Sequence, residues 1–230
     1  MIPARNRPVL VLRPEPGNTA TCRAAHAHGL HTHGAPLFAY TALDWTLPGG
    51  AWTGLLIGSA AVFAHGGPAL AELHAIPVHA VGPTTARAAQ NAGFAIADTG
   101  SGGLAPMVGT LPPGRYLRVA GEERVPLIPP PGVEIVDFVV YAARPLPLAL
   151  SAVDLIHHEP VVALLHSAQA ARHFAKQCND LDLPRNAIAL ACLAPRIAHE
   201  AGNGWQAVAI AARPDDEALL PLAQQMCQIV

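Results

Sequence analysis

The sequence predicts an α/β fold built from two similar parallel-sheet domains. The first observation is a strand, a proline-containing turn and a helix that occur twice, at residues 81–86 (VGPTTA) and 193–198 (LAPRIA), 112 residues apart. The second observation is an earlier pair in the same order, at residues 55–59 (LLIGS) and 163–167 (ALLHS), 108 residues apart. Two features that recur in one order at nearly one spacing indicate two copies of one α/β unit.

The third observation is that short apolar runs alternate with helix-forming segments. In the first half, buried-type apolar runs predict strands at residues 8–12, 55–57, 78–81, 95–97, 116–119 and 134–141, and an extended segment at 31–38. Helices are predicted at residues 18–28, with Asn18 or Thr19 as the cap and Gly29 as the stop, at 84–92, closed by Gly93, and at 104–110 after a glycine-rich turn. The four prolines of residues 126–131 exclude a regular helix there.

The second half repeats this order. Strands are predicted at residues 161–165, 187–192 and 207–211, and helices at 168–177, 196–200 and 215–225. Strands that alternate with helices of about 8 to 12 residues are typical of parallel sheets covered on both faces.

The first strand–helix–strand unit has no partner of its own in the first half, so we expect it to pair with the C-terminal half. This predicts a discontinuous domain of residues 1–38 plus 143–230 and a second domain of residues 39–142 that includes the linker strands. The chain would cross between the domains near residues 38–40 (FAY) and 140–142 (VYA), through a two-stranded extended linker.

Composition excludes several classes of protein. Of 230 residues, 51% are apolar and 13% charged, which predicts a sizeable core, and the net charge of −2 offers no field for nucleic acid or an anionic membrane. Four cysteines without a Cys-x-x-Cys pair are typical of reduced cytosolic thiols, and no apolar run reaches a membrane-spanning length. We therefore expect a soluble cytoplasmic protein. We also expect a monomer. Thirteen arginines and one lysine suggest either a GC-rich genome or forked recognition of anions.

Residues Gly82, Thr84 and Thr85 open a helix directly after a strand. Free backbone N–H groups and two hydroxyls there can bind a carboxylate or phosphate. The alternative is that one threonine merely caps the helix. A nucleotide-binding P-loop is excluded because the Gly-Lys-Ser/Thr ending is absent.

Ser59 and Ser167 follow equivalent strands, at the edge where open α/β sheets gather ligands. Neither lies in a Gly-x-Ser-x-Gly elbow, which argues against a nucleophilic role. Helix capping is the alternative to ligand binding for each, and the favoured one.

Histidines crowd residues 26–33, at His26, His28, His31 and His33. Gly29 separates a helical pair from a strand pair, so the spacing does not match a zinc site and a solvated face is favoured. Residues 157–159 (HHE) are predicted to lie in a loop, with the same interpretation.

Tyr141 ends an apolar strand at the second predicted crossing. A phenol at such a crossing can donate a proton or a hydrogen bond. On the residues alone, an aromatic packing role is favoured.

Taken together, these residues resemble the uroporphyrinogen-III synthase family, and the resemblance covers nearly the whole chain in order. It rests on residues 13–14 (RP), 34–38 (GAPLF), Ser59, 81–86 (VGPTTA), 140–141 (VY), Ser167 and 193–195 (LAP). The resemblance implies two HemD-like α/β domains with the active site in the cleft between them, and a reaction without metal or cofactor. The substrate would be hydroxymethylbilane, which loses its hydroxyl and closes to uroporphyrinogen III with ring D inverted.

The resemblance also implies roles for particular residues. Tyr141 matches the family's tyrosine and would act as the acid for the departing hydroxyl. Substrate carboxylates would be held by Arg13, Ser59, Gly82, Thr84, Thr85, Ser167 and Arg196. The main task is to hold a substrate that cyclises unaided to the uninverted isomer.

Three departures from the family pattern motivate an alternative. Residues 58–61 (GSAA) lack the family's Thr and Asn, residues 196–197 replace two threonines with Arg and Ile, and the proline-rich stretch shortens a helix. The alternative is a catalytically weakened two-lobed homologue that binds a tetrapyrrole or small acid without turnover.

Overall fold

The computed structural model describes residues 7–47 and 49–228. The chain divides into two compact units, one made of the residues up to Ala39 together with those from Pro145 onwards, the other of Tyr40–Arg144. Each unit is described by itself.

Eleven strands and eight α-helices follow one another in the described residues. In chain order they are β1 (Val9–Val11), α1 (Gly17–Ala27), β2 (Thr32–Gly34), β3 (Phe38–Ala42), β4 (Gly54–Ile57), α2 (Ala61–His65), β5 (Val78–Val81), α3 (Gly82–Asn91), β6 (Ile96–Gly100), α4 (Leu104–Val108), β7 (Gly114–Gly121), β8 (Val133–Pro145), α5 (Leu150–His158), β9 (Val161–Leu165), α6 (Ala168–Asp180), β10 (Ile188–Cys192), α7 (Pro195–Ala201), β11 (Ala207–Ile210) and α8 (Asp216–Gln228). Short 3₁₀ helices occupy Pro68–Leu73 and Arg185–Ala187.

The two sheets have the same internal strand order. In the first unit the order is β11-β10-β9-β1-β2, and all four neighbouring pairs are parallel. In the second sheet it is β3-β8-β7-β4-β5-β6, and the four pairs from β8 to β6 are parallel. Apart from the added edge strand β3, each strand of one sheet has a counterpart in the other. The predicted α/β class with parallel sheets is confirmed.

The core of the first unit follows from its central strands, β1, β9 and β10, whose residues are all buried. On one face of the sheet, side chains of these strands pack against apolar residues of α8, such as Leu219 and Met226. Parallel strands buried on both faces require continuous apolar sequence, and VVALL and IALAC supply it.

The second unit has apolar clusters on the two faces of its sheet. One gathers Leu55, Leu117 and Val119 of the strands with α3, the other Leu56 and Tyr116 with α4. Successive residues of each strand belong to opposite clusters, because side chains along a strand point alternately to the two faces of the sheet.

The crossover from β7 to the parallel strand β8 contains no helix. Residues 122–132 carry the four prolines and run without regular structure, and Leu127 packs against the apolar cluster beside α4. Parallel neighbours usually need a helical crossover to cover the sheet. Here an extended proline-rich segment takes that place.

Two local predictions in the first unit were wrong. Asn18 and Thr19 lie inside α1 and do not cap it; the Asn18 amide donates to the Val11 carbonyl (2.7 Å), and the Thr19 backbone N–H donates to the Glu15 carboxylate (3.1 Å). Residues 157–159 were predicted as a loop, but His157 and His158 end helix α5. The apolar residues of this short helix, which precede the two histidines, did not form a pattern that predicts a helix.

Candidate functional site

The strand order places a topological switch point in each unit. From β4 the chain continues to β5 on one side, whereas the other neighbour of β4, β7, is reached only later. In open α/β sheets, ligands bind beyond the carboxyl ends of the strands at such a reversal. In the second unit this point lies between Ile57 and Gly121, the last residues of β4 and β7.

A cavity of about 340 Å³ opens at this switch point. Its wall includes Gly58 and Ser59 after β4, Val81 at the end of β5, and Tyr141 on β8. The carboxyl ends of parallel strands meet along one edge of a sheet, which explains why residues far apart in sequence line one cavity.

Tyr141 is held firmly at this cavity. Its side chain is buried, and its ring packs edge-on against Tyr40 (centroids 5.1 Å apart) and lies 6.1 Å from His65. A Cβ atom on Gly121 would come within 2.7 Å of the Tyr141 ring, so only glycine leaves room for it. The role of Tyr141 as an acid stays a prediction, and its position in the cavity is compatible with it.

Ser59 is another residue of the cavity wall, and it precedes α2. Its Oγ accepts a hydrogen bond from the Ala61 backbone N–H at 3.3 Å, although Ala60 occupies the cap position. This bond uses Oγ as an acceptor and leaves the hydroxyl proton able to donate to an anion.

Gly82, Thr84 and Thr85 lie in the first turn of α3, next to Val81 of the cavity wall. Helix α3 has no side-chain cap, so the capping interpretation of the two threonines is wrong. Thr84 is exposed and Thr85 buried. Gly82 has a φ of +77°, a left-handed conformation that favours glycine.

A polar network lies at the switch point of the first unit, between β1 and β9. The Asp216 carboxylate accepts hydrogen bonds from Thr21 Oγ1 (2.7 Å) and Arg13 Nη1 (3.3 Å), and its other oxygen lies 2.9 Å from His166 Nε2. The His166 side chain is 8% exposed, and its Nδ1 is buried without a hydrogen-bond partner.

Asp216 is therefore ionised over most of the pH range. Burial by itself would raise the pKa of this carboxyl, but hydrogen bonds from His166 and Thr21 and the charges of His166 and Arg13 outweigh it and lower the pKa to about 2. Of these residues, sequence reasoning singled out only Arg13. His166 stands in the repeated LLHS segment, but Asp216 is distant in sequence and carried no signal.

The remaining predicted residues are Ser167 and Arg196, both in the first unit. Ser167 is the N-cap of α6, and its Oγ accepts from the Ala170 N–H at 3.1 Å, so it has the structural role that the sequence favoured. Arg196 is exposed in the first turn of α7.

Arg118, which sequence reasoning missed, also lines the cavity of the second unit. It is 5% exposed on the central strand β7, and its Nη1 lies 3.7 Å from the Asp137 carboxylate. Burial lowers the pKa of its guanidinium, Asp137 opposes this effect, and nearby Arg124 adds to it. The available signal was a charged residue inside the apolar run YLRVA.

Among residues 7–47 and 49–228, no three His, Cys, Asp or Glu side chains lie close enough to hold a metal ion. His26 instead contacts Thr32 Oγ1 (3.0 Å) and His33 contacts Ser151 Oγ (3.0 Å). No helix in the part of the chain that the structure describes is long and apolar enough to span a membrane.

Two parallel sheets of one strand order, one with a cavity at its switch point, define a doubly wound α/β protein with an internal repeat. The family model described as uroporphyrinogen-III synthase HemD matches residues 23–221. The chain belongs to the uroporphyrinogen-III synthase family.

A solved structure agrees with this assignment at the level of the fold. The uroporphyrinogen-III synthetase of Helicobacter pylori 26695 is 17% identical, with a TM-score of 0.63 over 96% of this chain and 99% of that chain. The wild-type uroporphyrinogen III synthase of Thermus thermophilus is also 17% identical, with a TM-score of 0.42 over 96% of this chain and 98% of that chain. A search of curated proteins found no match.

Proposed function

We propose that this chain is a uroporphyrinogen-III synthase, a water-eliminating lyase of tetrapyrrole biosynthesis that converts hydroxymethylbilane to uroporphyrinogen III. The observation that carries the proposal is the cavity at the switch point of the second unit, which brings Ser59 and Tyr141 together in a member of this family. The free thiols of the described cysteines support a cytoplasmic location.

In the proposed reaction, the terminal C–O bond of hydroxymethylbilane breaks as Tyr141 protonates the departing hydroxyl, and water leaves. The resulting azafulvene carbon is attacked by the substituted carbon of ring D, which forms a spiro intermediate. The bond from ring D to its original bridge then breaks, and ring D recloses through its free carbon with loss of a proton. One water is lost overall, and no electrons are gained or lost.

Binding in one geometry supplies the rest of the catalysis, because the folded substrate already closes without help. In the second unit, we assign carboxylate binding to Ser59 and to Gly82, Thr84 and Thr85 at the start of α3. The positive end of that helix and its free N–H groups favour an anion.

In the first unit, Arg13 and Arg196 are the proposed carboxylate-binding residues, whereas Ser167 caps α6. The ion pair with Asp216 partly neutralises Arg13 and also orients the Arg13 guanidinium. Arg196 is exposed and free to reach an acidic side chain.

The direct test is to supply freshly prepared hydroxymethylbilane and to separate the oxidised porphyrin isomers. We expect isomer III in excess over the spontaneous isomer I. Isomer I alone would contradict the proposal. Isomer I alone together with tight tetrapyrrole binding would establish the alternative, a homologue that binds without turnover.

A further inference from the structure

We propose that Arg118 forms a carboxylate-binding subsite in the cavity of the second unit, which takes an acidic side chain of a single pyrrole. The inference rests on the proposed function for the identity of the ligand. The proposed role of Arg118 is to bind the substrate. It takes no part in bond breaking.

The first argument compares the position of Arg118 with the equivalent position in the other copy of the repeat. Leu56 and Leu164 occupy matching positions in the repeated segments LLIGS and ALLHS. Leu56 pairs with Arg118 across the sheet, and Leu164 pairs with Val11. The same place in two equivalent sheets therefore holds a fully buried valine in one unit and a buried arginine in the other. The fold does not need an arginine here.

The second argument is that neighbouring groups do not satisfy Arg118. Its Nε is buried without a hydrogen-bond partner, and Nη1 lies beyond hydrogen-bond distance, at 3.7 Å, from Asp137 Oδ2. That oxygen already accepts a hydrogen bond from Arg124 Nε at 2.8 Å. A buried donor without a partner is costly in a folded protein, so the retention of an arginine here calls for a compensating role.

The third argument is the composition and size of the cavity. Its lining residues include Arg118, Arg124 and Glu123, with apolar residues over most of the rest. Asp137 lies near both arginines, so the formal charges balance, but the planar fork of Arg118 suits a carboxylate. At about 340 Å³, the cavity is at the small end of the range for ligand pockets, so it suits one pyrrole rather than a whole tetrapyrrole.

The experiment compares Arg118→Met and Arg118→Lys with wild type and with Arg172→Met. Arg172 is an exposed arginine of the first unit, paired with Glu200 at 2.9 Å, and its substitution makes the same change in net charge. The probe is uroporphyrinogen III kept reduced under nitrogen, titrated by calorimetry, and KM for hydroxymethylbilane is measured in parallel.

We expect Arg118→Met to raise the Kd and KM by about 10- to 100-fold, the effect of one charge-assisted hydrogen-bond pair. Arg118→Lys should recover part of the loss, because it restores the charge without the fork. Arg172→Met should bind as wild type.

Because Val11 fills the equivalent position, Arg118→Met is expected to fold, which a thermal melt checks. If it does not fold, the lysine variant decides, and wild-type Kd and KM in that variant would overturn the proposal.

Unchanged Kd and KM in a folded Arg118→Met variant would overturn the subsite and leave the proposed function intact. An equal loss in Arg172→Met would also overturn it, because the effect would then be one of net charge. Arg118-dependent binding without isomer III would support the subsite while the proposed function failed.

Discussion

His166 Nε2 lies 2.9 Å from Asp216 Oδ1, and this contact lies at the switch point of the first sheet. The other carboxylate oxygen of Asp216 accepts from Thr21 and Arg13. The equivalent point of the second sheet is an open cavity. Two copies of one unit thus differ at the place where this fold binds ligands.

The Asp216 network predicts acid-sensitive stability. The folded pKa of about 2 is below the ordinary value of 3.8, so the stabilisation is present above about pH 4 and is lost as the pH falls through about 2. Asp216→Asn should lower the free energy of unfolding by roughly 2 kcal/mol at pH 7. Urea titrations at pH 7 and pH 3 measure this difference, which should shrink at pH 3.

A matched control for this prediction is Asp180→Asn. Asp180 is more exposed and forms an i,i+4 pair with Lys176, so its removal should cost well under about 1 kcal/mol. Equal losses for the two variants would contradict a special role for the His166–Asp216 contact.

Tyr141→Phe should lower kcat for isomer III formation by about 100-fold or more, because the phenol proton is lost while the ring is kept. The ring packing against Tyr40 should hold the melting temperature near that of wild type. Isomer-resolved initial rates provide the measurement. An unchanged kcat would remove Tyr141 from the acid role.

Tyr116→Phe is the matched control for that substitution. The Tyr116 hydroxyl donates to the Pro112 carbonyl at 3.0 Å and is absent from the cavity wall. We expect about 1 kcal/mol of lost stability in denaturant titration, and wild-type kinetics.

The two serines should separate into a structural and a binding role. Ser167→Ala removes the N-cap of α6 and should cost about 1 kcal/mol of unfolding free energy. Ser59→Ala removes a longer bond of 3.3 Å, so its effect on stability should be smaller, whereas KM for hydroxymethylbilane should rise. If KM rises in neither variant, both serines are excluded from substrate binding.

The four thiols should differ in reactivity. Burial raises the pKa of Cys178 to about 12 and those of Cys192 and Cys227 to about 11, so at neutral pH these thiols are protonated and shielded. Cys22 is half-buried. A disulfide reagent that absorbs on reaction should modify Cys22 first in the native protein and the other three only on unfolding. Peptide mapping that found Cys178 modified first would contradict this prediction.

Most strands could be read from the sequence because a buried parallel strand must be continuously apolar. The segments at residues 78–81 and 161–165 were predicted with the bounds that the structure has. Helix α5 was missed because its ending in His157 and His158 looks like a polar loop. The cap of α1 was misassigned because the Asn18 amide bonds back to the carbonyls of Val11 and Arg13, a contact that depends on the preceding turn.

The candidate site was only partly predictable. The repeat located Ser59, and the family resemblance singled out Tyr141. Arg118 was passed over, because its meaning depends on its pairing with Leu56 and on the matching pair of Val11 and Leu164. A charged residue in an apolar run is ambiguous until the cavity beside it is known.

By itself, the sequence determined the α/β class, the internal repeat and the family, because apolar periodicity and turn residues act over a few neighbours along the chain. Only the tertiary structure decided which strands are adjacent, and therefore which side chains share a carboxyl edge. Pairing of β9 with β1 and packing of α8 on the sheet bring His166 and Asp216 into the first switch point, and pairing of β4 with β7 places Arg118 beside the cavity of the second. These contacts join residues distant in sequence, so no local pattern records them.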